Sequence, residues 1–164
     1  MHKHNFFVIL IGCVSALILS GCGGQKMPDG MPKLHATSVT ITMNGANLEG
    51  AAVSLHAPDN NWAIGAMTNS SGVAVLKTHG NYPGAPEGEY TVCVSKKRFE
   101  EGPTSQKPEP EALGEKMAYL QKVAKERKEI PEVDLAFGDP KTSQLKLTVK
   151  GRTSETFEVT PYVQ

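Results

Sequence analysis

The sequence lacks an excess of charge of either sign. Its 164 residues include 17 lysines and arginines and 17 aspartates and glutamates, which gives a formal net charge of +0 at pH 7. A protein that binds nucleic acid through the phosphate backbone needs a concentrated positive field. The balanced charge therefore predicts that nucleic acid is not a partner of this chain.

The sequence also lacks a hydrophobic run long enough to cross a membrane as a helix. Its longest apolar run covers residues 6–19, about 14 residues, whereas a spanning helix needs about 20. Lys3 precedes this run, and the small residues Ser20 and Gly21 follow it. That order is typical of a secretory targeting segment, and a transmembrane helix over residues 6–19 is the disfavoured alternative.

The residues Leu19-Ser20-Gly21-Cys22 resemble a bacterial lipobox, in which an aliphatic and two small residues precede a cysteine. The resemblance implies a signal peptide over residues 1–21 with a signal helix, cleavage between Gly21 and Cys22, and acylation of Cys22. The mature chain is then anchored in a lipid bilayer, because each buried methylene contributes roughly 0.8 kcal/mol and several acyl chains anchor stably. In diderm bacteria an aspartate after the cysteine resembles an inner-membrane retention signal, so Gly23 favours the outer membrane.

Cysteine is scarce in the mature chain. Cys13 leaves with the signal peptide and Cys22 is acylated, so Cys93 alone stays free. An intramolecular disulfide is then impossible, and stability must come from an apolar core. Cys93 lies inside an alternating apolar run, where a free cysteine usually packs as a small hydrophobe and nothing nearby predicts a lowered pKa.

The mature chain alternates between apolar and polar residues over most of its length. Residues 22–34 contain several glycines and prolines and are predicted to be a flexible linker. Residues 35–164 are predicted to form one domain of short strands with a period of two, separated by turn formers. The predicted strands cover residues 38–43, 51–56, 62–68, 73–78, 89–95, 145–150 and 157–160. Seven regularly spaced strands predict an all-β fold, a two-sheet sandwich.

A helical insertion over residues 96–140 interrupts the alternation. Residues 96–110 are charged and contain prolines, which predicts a loop. Helix formers and an apolar stripe predict a surface helix at about 109–130, with the stripe packed on the sandwich. Acidic residues near its start and basic residues near its end complement the helix dipole. Docking of a partner on this helix is the alternative. The stripe consists of Leu113, Met117, Leu120 and Ala124.

The order of motifs from Thr42 to Tyr90 resembles the carboxypeptidase regulatory-like, or transthyretin-like, β-sandwich family. The resemblance implies a transthyretin-like or immunoglobulin-like sandwich of about seven strands, with Tyr90 buried and its hydroxyl directed at a loop carbonyl. Asn69 stands where members usually have an aspartate, and asparagine also forms turns. A true immunoglobulin domain is disfavoured because Val92 stands where its cysteine would lie. The matching motifs are Asn44-Gly45, Leu48, Gly50-Ala51, Val53, Thr68 to Gly72, and Gly88 to Val94.

Candidate catalytic and metal-binding residues are few. His35, His56 and His79 survive processing and would bind a metal if they converged, but no two have metal-ligand spacing. Asp59-Asn60-Asn61 offers oxygen ligands without the spacing of a calcium loop, which favours a turn. The family includes hydrolases with a C-terminal Tyr-Arg-Gly-Ser, and this chain ends instead in Tyr162-Val163-Gln164. We therefore expect no catalytic residues, metal or cofactor.

These observations favour a non-catalytic, membrane-anchored lipoprotein of the cell envelope that displays a β-sandwich for binding or structural roles. Its expected partners are the lipid bilayer, through acylated Cys22, and an envelope protein or glycan. The alternative is a receptor or carrier of a small ligand or carbohydrate, with Trp62 and Tyr82 as contacts beside Tyr90 and the loop of residues 80–88. A transthyretin-like hydrolase is the least favoured class.

Overall fold

The structure, a computed structural model, describes residues 27–58 and 60–163, and for residues 60 and 61 it describes the backbone. These residues form a mostly β fold with one α-helix, α1 (Leu113–Glu126), and two 3-10 helices (Pro103–Gln106 and Leu135–Gly138). The strands are β1 Leu34–His35, β2 Thr37–Met43, β3 Ala46–Asn47, β4 Ala52–Ala57, β5 Asn60–Met67, β6 Val73–Val75, β7 Lys77–Thr78, β8 Tyr82–Pro83, β9 Ala85–Pro86, β10 Gly88–Ser95, β11 Lys97–Glu100, β12 Lys128–Pro131, β13 Lys146–Val149 and β14 Thr153–Val159.

These strands form two larger sheets and two short strand pairs. The larger sheet has six antiparallel strands in the order β13-β10-β4-β5-β7-β8. The smaller sheet has the order β14-β2-β3, with β6 also paired to β2. Its β14 runs parallel to β2, and its other pairs are antiparallel. The short pairs are β1 with β9 and β11 with β12.

Both larger sheets contribute side chains to one hydrophobic core. Alternate residues of β2 and of β10 are fully buried, as expected for strands with one face towards the core. Val39 and Ile41 of the smaller sheet belong to the same buried cluster as Val92 and Val94 of the larger sheet. The predicted β character is therefore confirmed for the described residues, which are mostly β with one helix, and the two sheets share one core.

The seven predicted strands are present, and one of them is divided between the two sheets. Of the predicted strand 73–78, Val73–Val75 pairs with β2 and Lys77–Thr78 pairs with β5. Leu76 lies at the crossing with a fully buried side chain, and its N–H donates to the carbonyl of Thr37 at 3.0 Å. A period of two is unchanged by a switch of sheet, so the sequence does not reveal it.

The turns use the residues that the alternation pattern predicted for them. Asn44 and Gly45 both have positive φ, 54° and 75°, and close a two-residue hairpin between β2 and β3, which is the backbone of a type I′ turn. In the turn after β5, the side-chain oxygen of Asn69 accepts hydrogen bonds from the N–H groups of Ser71 at 2.9 Å and Val73 at 3.0 Å. Asparagine therefore makes this turn without the usual aspartate.

Residues 97–131 form a separate appendage that leaves the larger sheet after β10. It consists of the hairpin β11–β12, the first 3-10 helix and α1. The predicted loop over residues 96–110 is wrong in part, because β11 pairs with β12 about thirty residues later, and a local pattern cannot show so distant a partner.

The predicted helix is confirmed, in a shorter form, but its apolar stripe is exposed rather than packed on the sheets. No residue of α1 is buried. The exposed fractions are 76% for Leu113, 52% for Met117 and 44% for Leu120. The helix instead contacts the first 3-10 helix, where the N–H and hydroxyl of Thr104 each donate to the carboxylate of Glu126 at 2.9 Å.

The predicted signal helix, the cleavage site at Gly21 and the acylation site at Cys22 lie outside the described residues, as does Asp59. Residues 27–33 of the predicted linker are described and contain no strand or helix. Among the described residues, no helix combines the length and the apolar character that crossing a membrane requires.

Candidate ligand cleft

A cleft of about 700 Å³ opens at the end of the larger sheet where β4 ends and β5 and β10 begin. Three further clefts of the described residues are smaller, between about 430 and 460 Å³. Small-molecule sites usually occupy roughly 300–1,000 Å³. All four volumes fall in this range, and the first cleft is the largest of the four.

Three segments form the walls of this cleft. The first is the entering chain with Pro32, Lys33 and His35, and the second is the β4–β5 connection with Ala57, Pro58 and Trp62. The third is the run from Pro86 to Tyr90, which begins in β9 and continues into β10. The pairing of His35 with Ala85, between β1 and β9, fixes the first wall against the third.

Trp62 supplies the aromatic surface of the second wall. Its side chain is half-buried and packs against the edge of the core. The ring makes a T-shaped contact with the ring of His79, with centroids 5.2 Å apart and planes inclined by 67°. Trp62 is thus held between the core edge and His79 while its side chain lines the cleft.

Tyr90 forms the floor beside it and confirms the expectation for its hydroxyl. The side chain is 2% exposed, and its hydroxyl donates to the carbonyl of Pro86 at 2.9 Å. A buried hydroxyl needs such an acceptor. This bond also fastens β9 to the start of β10, which holds the third wall in place.

His35 and Glu87 form the polar corner of the cleft. The Nε2 atom of His35 lies 3.1 Å from Oε1 of Glu87, within ion-pair distance but without hydrogen-bond geometry. The His35 side chain is 13% exposed, whereas that of Glu87 is 66% exposed. The imidazole is thus an inner group, and the carboxylate is at the rim with an oxygen available to a ligand.

The structure brings Trp62 and Tyr90 together but places Tyr82 elsewhere. Tyr82 lies in β8, paired with Thr78 at the outer edge of the larger sheet, and it is not among the residues that line the cleft. The expected loop of residues 80–88 contributes Pro86, Glu87 and Gly88 to the cleft, whereas Pro32, Lys33 and Glu89 were not among the expected contacts. The prediction of a linker over residues 22–34 did not indicate that Pro32 and Lys33 line a cleft.

His35, His56 and His79 do not converge. His35 lies beside Glu87, His56 shares a hydrogen bond of 2.9 Å with the Ser54 hydroxyl, and His79 contacts Trp62. Within residues 27–58 and 60–163, no three His, Cys, Asp or Glu side chains are grouped so that they could hold a metal ion. Of Asn60 and Asn61 the backbone is described, and it begins β5.

Cys93 is buried on the face of β10 opposite Val92 and Val94. Burial raises the pKa of its thiol, the negative charge of Asp139 raises it further, and Lys146 opposes them. The thiolate is the nucleophilic form of cysteine. A raised pKa therefore favours the packing role over a reactive one.

A search of known protein families returns none that matches this chain, and a search of curated proteins also returns no match. Three observations bear on its function: the run Leu19-Ser20-Gly21-Cys22, the mostly β fold, and the chemistry of the cleft.

Proposed function

We propose that this chain is a non-catalytic lipoprotein of the cell envelope, held in a bilayer through acylated Cys22. The single observation that carries the proposal is the run Leu19-Ser20-Gly21-Cys22 directly after a basic residue and an apolar segment. The described fold supports it, because the first strand begins at Leu34 and leaves residues 23–33 between anchor and domain. Eleven extended residues span at most about 40 Å, so the domain stays close to the lipid surface.

The domain itself is, on this proposal, a two-layer transthyretin-like sandwich that serves binding or structural roles. Its support is the single core shared by Val39 and Ile41 of the smaller sheet and by Val92 and Val94 of the larger sheet. The turn at Asn69, the buried Tyr90 and the hairpin at Asn44-Gly45 add to this support. All three agree with the resemblance that the sequence shows.

Metabolic labelling with a palmitate analogue tests the anchor. The full chain should take up label, and Cys22→Ala should abolish it because the acylated sulfur is lost. Cys93→Ala is the matched control and should label as the parent does, since the Cys93 thiol is buried. Equal labelling of the Cys22→Ala protein, or mass spectrometry that finds an intact and unacylated N-terminus, would contradict the proposal.

The outer membrane is the proposed location, because Gly23 follows the acylated cysteine. Density fractionation of membranes should find the protein with outer-membrane markers. Gly23→Asp should shift it towards the inner membrane, and Gly23→Ser is the matched control that should not. An equal distribution of all three proteins would contradict this part of the proposal.

A receptor for a small ligand or carbohydrate is the second candidate function. The cleft walled by Trp62 and Tyr90 favours it over a purely structural role. The same end of the domain receives the chain that leads from Cys22, so a ligand would be held on the side of the tether. A hydrolase stays the least favoured class, since the described histidines contact separate neighbours.

A further inference from the structure

We propose that the cleft binds a pyranose ring of an envelope glycan, with the ring on Trp62 and its hydroxyls on the carboxylates of Glu87 and Glu89. The proposal rests on the second candidate function above and specifies its ligand class. Tyr82 does not line the cleft, so its place as a polar contact is taken by Glu87, from the expected loop of residues 80–88, and by Glu89.

The apolar part of the cleft matches one face of a sugar ring. A pyranose presents axial C–H groups on a face that packs on an aromatic plane. Trp62 supplies an aromatic ring to the second wall, and Ala57 and Pro58 line the same wall with apolar groups. Binding sites for small molecules usually combine such apolar walls with a few placed polar groups.

The polar part of the cleft matches the rim of hydroxyls around a sugar ring. Ionised carboxylates accept hydrogen bonds and form strong ones with hydroxyl donors. Glu87 and Glu89 line the same wall on either side of Gly88, and both side chains are exposed. The Nε2 atom of His35 lies 3.1 Å from Oε1 of Glu87, so the two groups are neighbours at this rim.

The charge of the cleft disfavours an anionic ligand. Its fixed charges are one lysine, Lys33, and two glutamates. A phosphate or carboxylate site needs converging positive groups or backbone N–H donors, and two carboxylates at the rim repel such a ligand. A neutral polyhydroxyl ring carries no charge that the rim would repel.

The position of the cleft selects an envelope glycan among saccharides. Pro32 and Lys33 form one wall, and the chain that precedes them leads to Cys22. A bound sugar thus lies within about 40 Å of the lipid surface. Cell-wall glycan and the sugar of a membrane glycolipid are two sources of the same ring chemistry, and the probes below separate them.

Tryptophan fluorescence measures binding directly, because Trp62 is the single tryptophan of the whole sequence. Detergent-solubilised full-length protein is titrated with soluble N-acetylglucosamine oligosaccharides. It is titrated separately with phosphatidylcholine vesicles that carry a monoglycosyl diacylglycerol, against plain vesicles. A saturable change of emission in the first arm indicates a wall glycan, and one confined to the glycolipid vesicles indicates a membrane sugar. No response in either arm would overturn the proposal.

Variants of the cleft test where the sugar lies. Glu89→Gln and Glu87→Gln should each weaken binding about tenfold, because a neutral amide oxygen is a weaker acceptor than a carboxylate. Trp62→Phe, followed by calorimetry, should weaken it by a smaller factor than Trp62→Ala. Glu155→Gln is the matched control, on exposed strand β14 of the smaller sheet. Parent-like affinity in Trp62→Ala and in the Glu87→Gln, Glu89→Gln double variant, with unchanged circular dichroism, would overturn the assignment.

Failure of this inference and failure of the lipid anchor are distinguishable. Cys22→Ala protein should bind the oligosaccharide as the parent does, since the cleft contains no acylated group. Acylated protein that binds no sugar leaves the anchor standing and removes the cleft. Parent protein that binds sugar but carries no acyl group would contradict the anchor and leave the assignment of the cleft standing.

Discussion

The two larger sheets and the appendage of residues 97–131 are stabilised by different kinds of contact. In the sheets, fully buried side chains such as Ile41, Val92 and Leu147 interlock in one core. In the appendage, no residue of α1 is buried, and Phe99, Leu113 and Met117 are exposed. Apolar burial therefore stabilises the sheets, whereas the appendage depends on something else.

Charged and polar contacts hold the appendage together. Arg127 lies 3.0 Å from Glu101, and its guanidinium is 4.1 Å from the centre of the Phe99 ring. Lys97 lies 2.6 Å from Glu129 across the hairpin. Exposed ion pairs contribute about 0.2–1 kcal/mol each. The chain thus contains a region of high and a region of low local stability, and the appendage should open without unfolding the sheets.

A cavity in the core should destabilise the sheets, whereas the same substitution on the appendage should have little effect on the free energy of unfolding. Leu147→Ala should lower the free energy of unfolding by about 2–5 kcal/mol, because it removes a buried side chain and leaves a void. Leu120→Ala, on the exposed face of α1, should change it by less than about 0.5 kcal/mol. Urea unfolding followed by circular dichroism measures both. Equal losses in the two variants would contradict the comparison.

A methyl group added to a glycine should have opposite effects in the two regions. Gly72 has a φ of 73°, and an added Cβ would lie 2.6 Å from the carbonyl oxygen of Ile41. Gly72→Ala should therefore destabilise the protein by about 1–3 kcal/mol. Gly114 lies in α1 with open space around it, so Gly114→Ala should stabilise the helix by about 0.5–1 kcal/mol. Thermal unfolding of the first variant and helical circular dichroism of the second are the measurements.

Removing one tyrosine hydroxyl in each region compares how much a single hydrogen bond contributes to stability there. Tyr90→Phe keeps the buried ring and removes the donor to the Pro86 carbonyl. The expected loss is about 1 kcal/mol, since a net hydrogen bond contributes about that amount. Tyr119→Phe is the matched control, because the hydroxyl of Tyr119 donates to Lys107 at an exposed position of the appendage. A larger loss in the control would contradict the assignment of stability to the sheets.

The smallest expected effect is a pH dependence of the appendage. The backbone N–H of Thr104 and then its hydroxyl lower the pKa of Glu126 below its usual range. A lowered folded-state pKa stabilises the contact above the ordinary glutamate pKa, about 4.3, and this contribution is lost as the pH falls through the lowered value. In an NMR titration, the amide chemical shift of Thr104 should follow the protonation of Glu126. Glu126→Gln should remove this transition.

Glu158 is the counterpart in the sheets for the same titration. The Thr42 hydroxyl and then the Gly45 N–H lower the pKa of its carboxyl. Glu126→Gln should leave the transition of the Gly45 amide unchanged, because the two carboxylates are in different regions. Loss of both transitions in this variant would contradict the independence of the appendage.

Local patterns were sufficient to predict most strands and turns. Alternation located β2, β4, β10 and β13 because one face of each is buried. Asn44-Gly45 located a hairpin because both residues tolerate positive φ. These features depend on neighbours in sequence, which is why a single sequence shows them.

Features that depend on distant partners could not be predicted. The strands β11 and β12 pair although a helix separates them in the sequence. The two residues of β1 form a strand only because they pair with β9. The cleft was the least predictable feature, because its walls come from three separate segments, at residues 32, 33 and 35, at residues 57, 58 and 62, and at residues 86–90. Residue type indicates Trp62, and the loop of residues 80–88 indicates Glu87, whereas Glu89 looks like an ordinary surface residue of a strand.

The parallel pair of β14 with β2 has a consequence for how this chain is made. Ser38 and Ser154, 116 positions apart, face each other across it. The smaller sheet consequently cannot be completed until β14 has been synthesised, and contacts of such long sequence separation form slowly. A nascent chain with this topology keeps one edge of β2 without its parallel partner until β14 emerges.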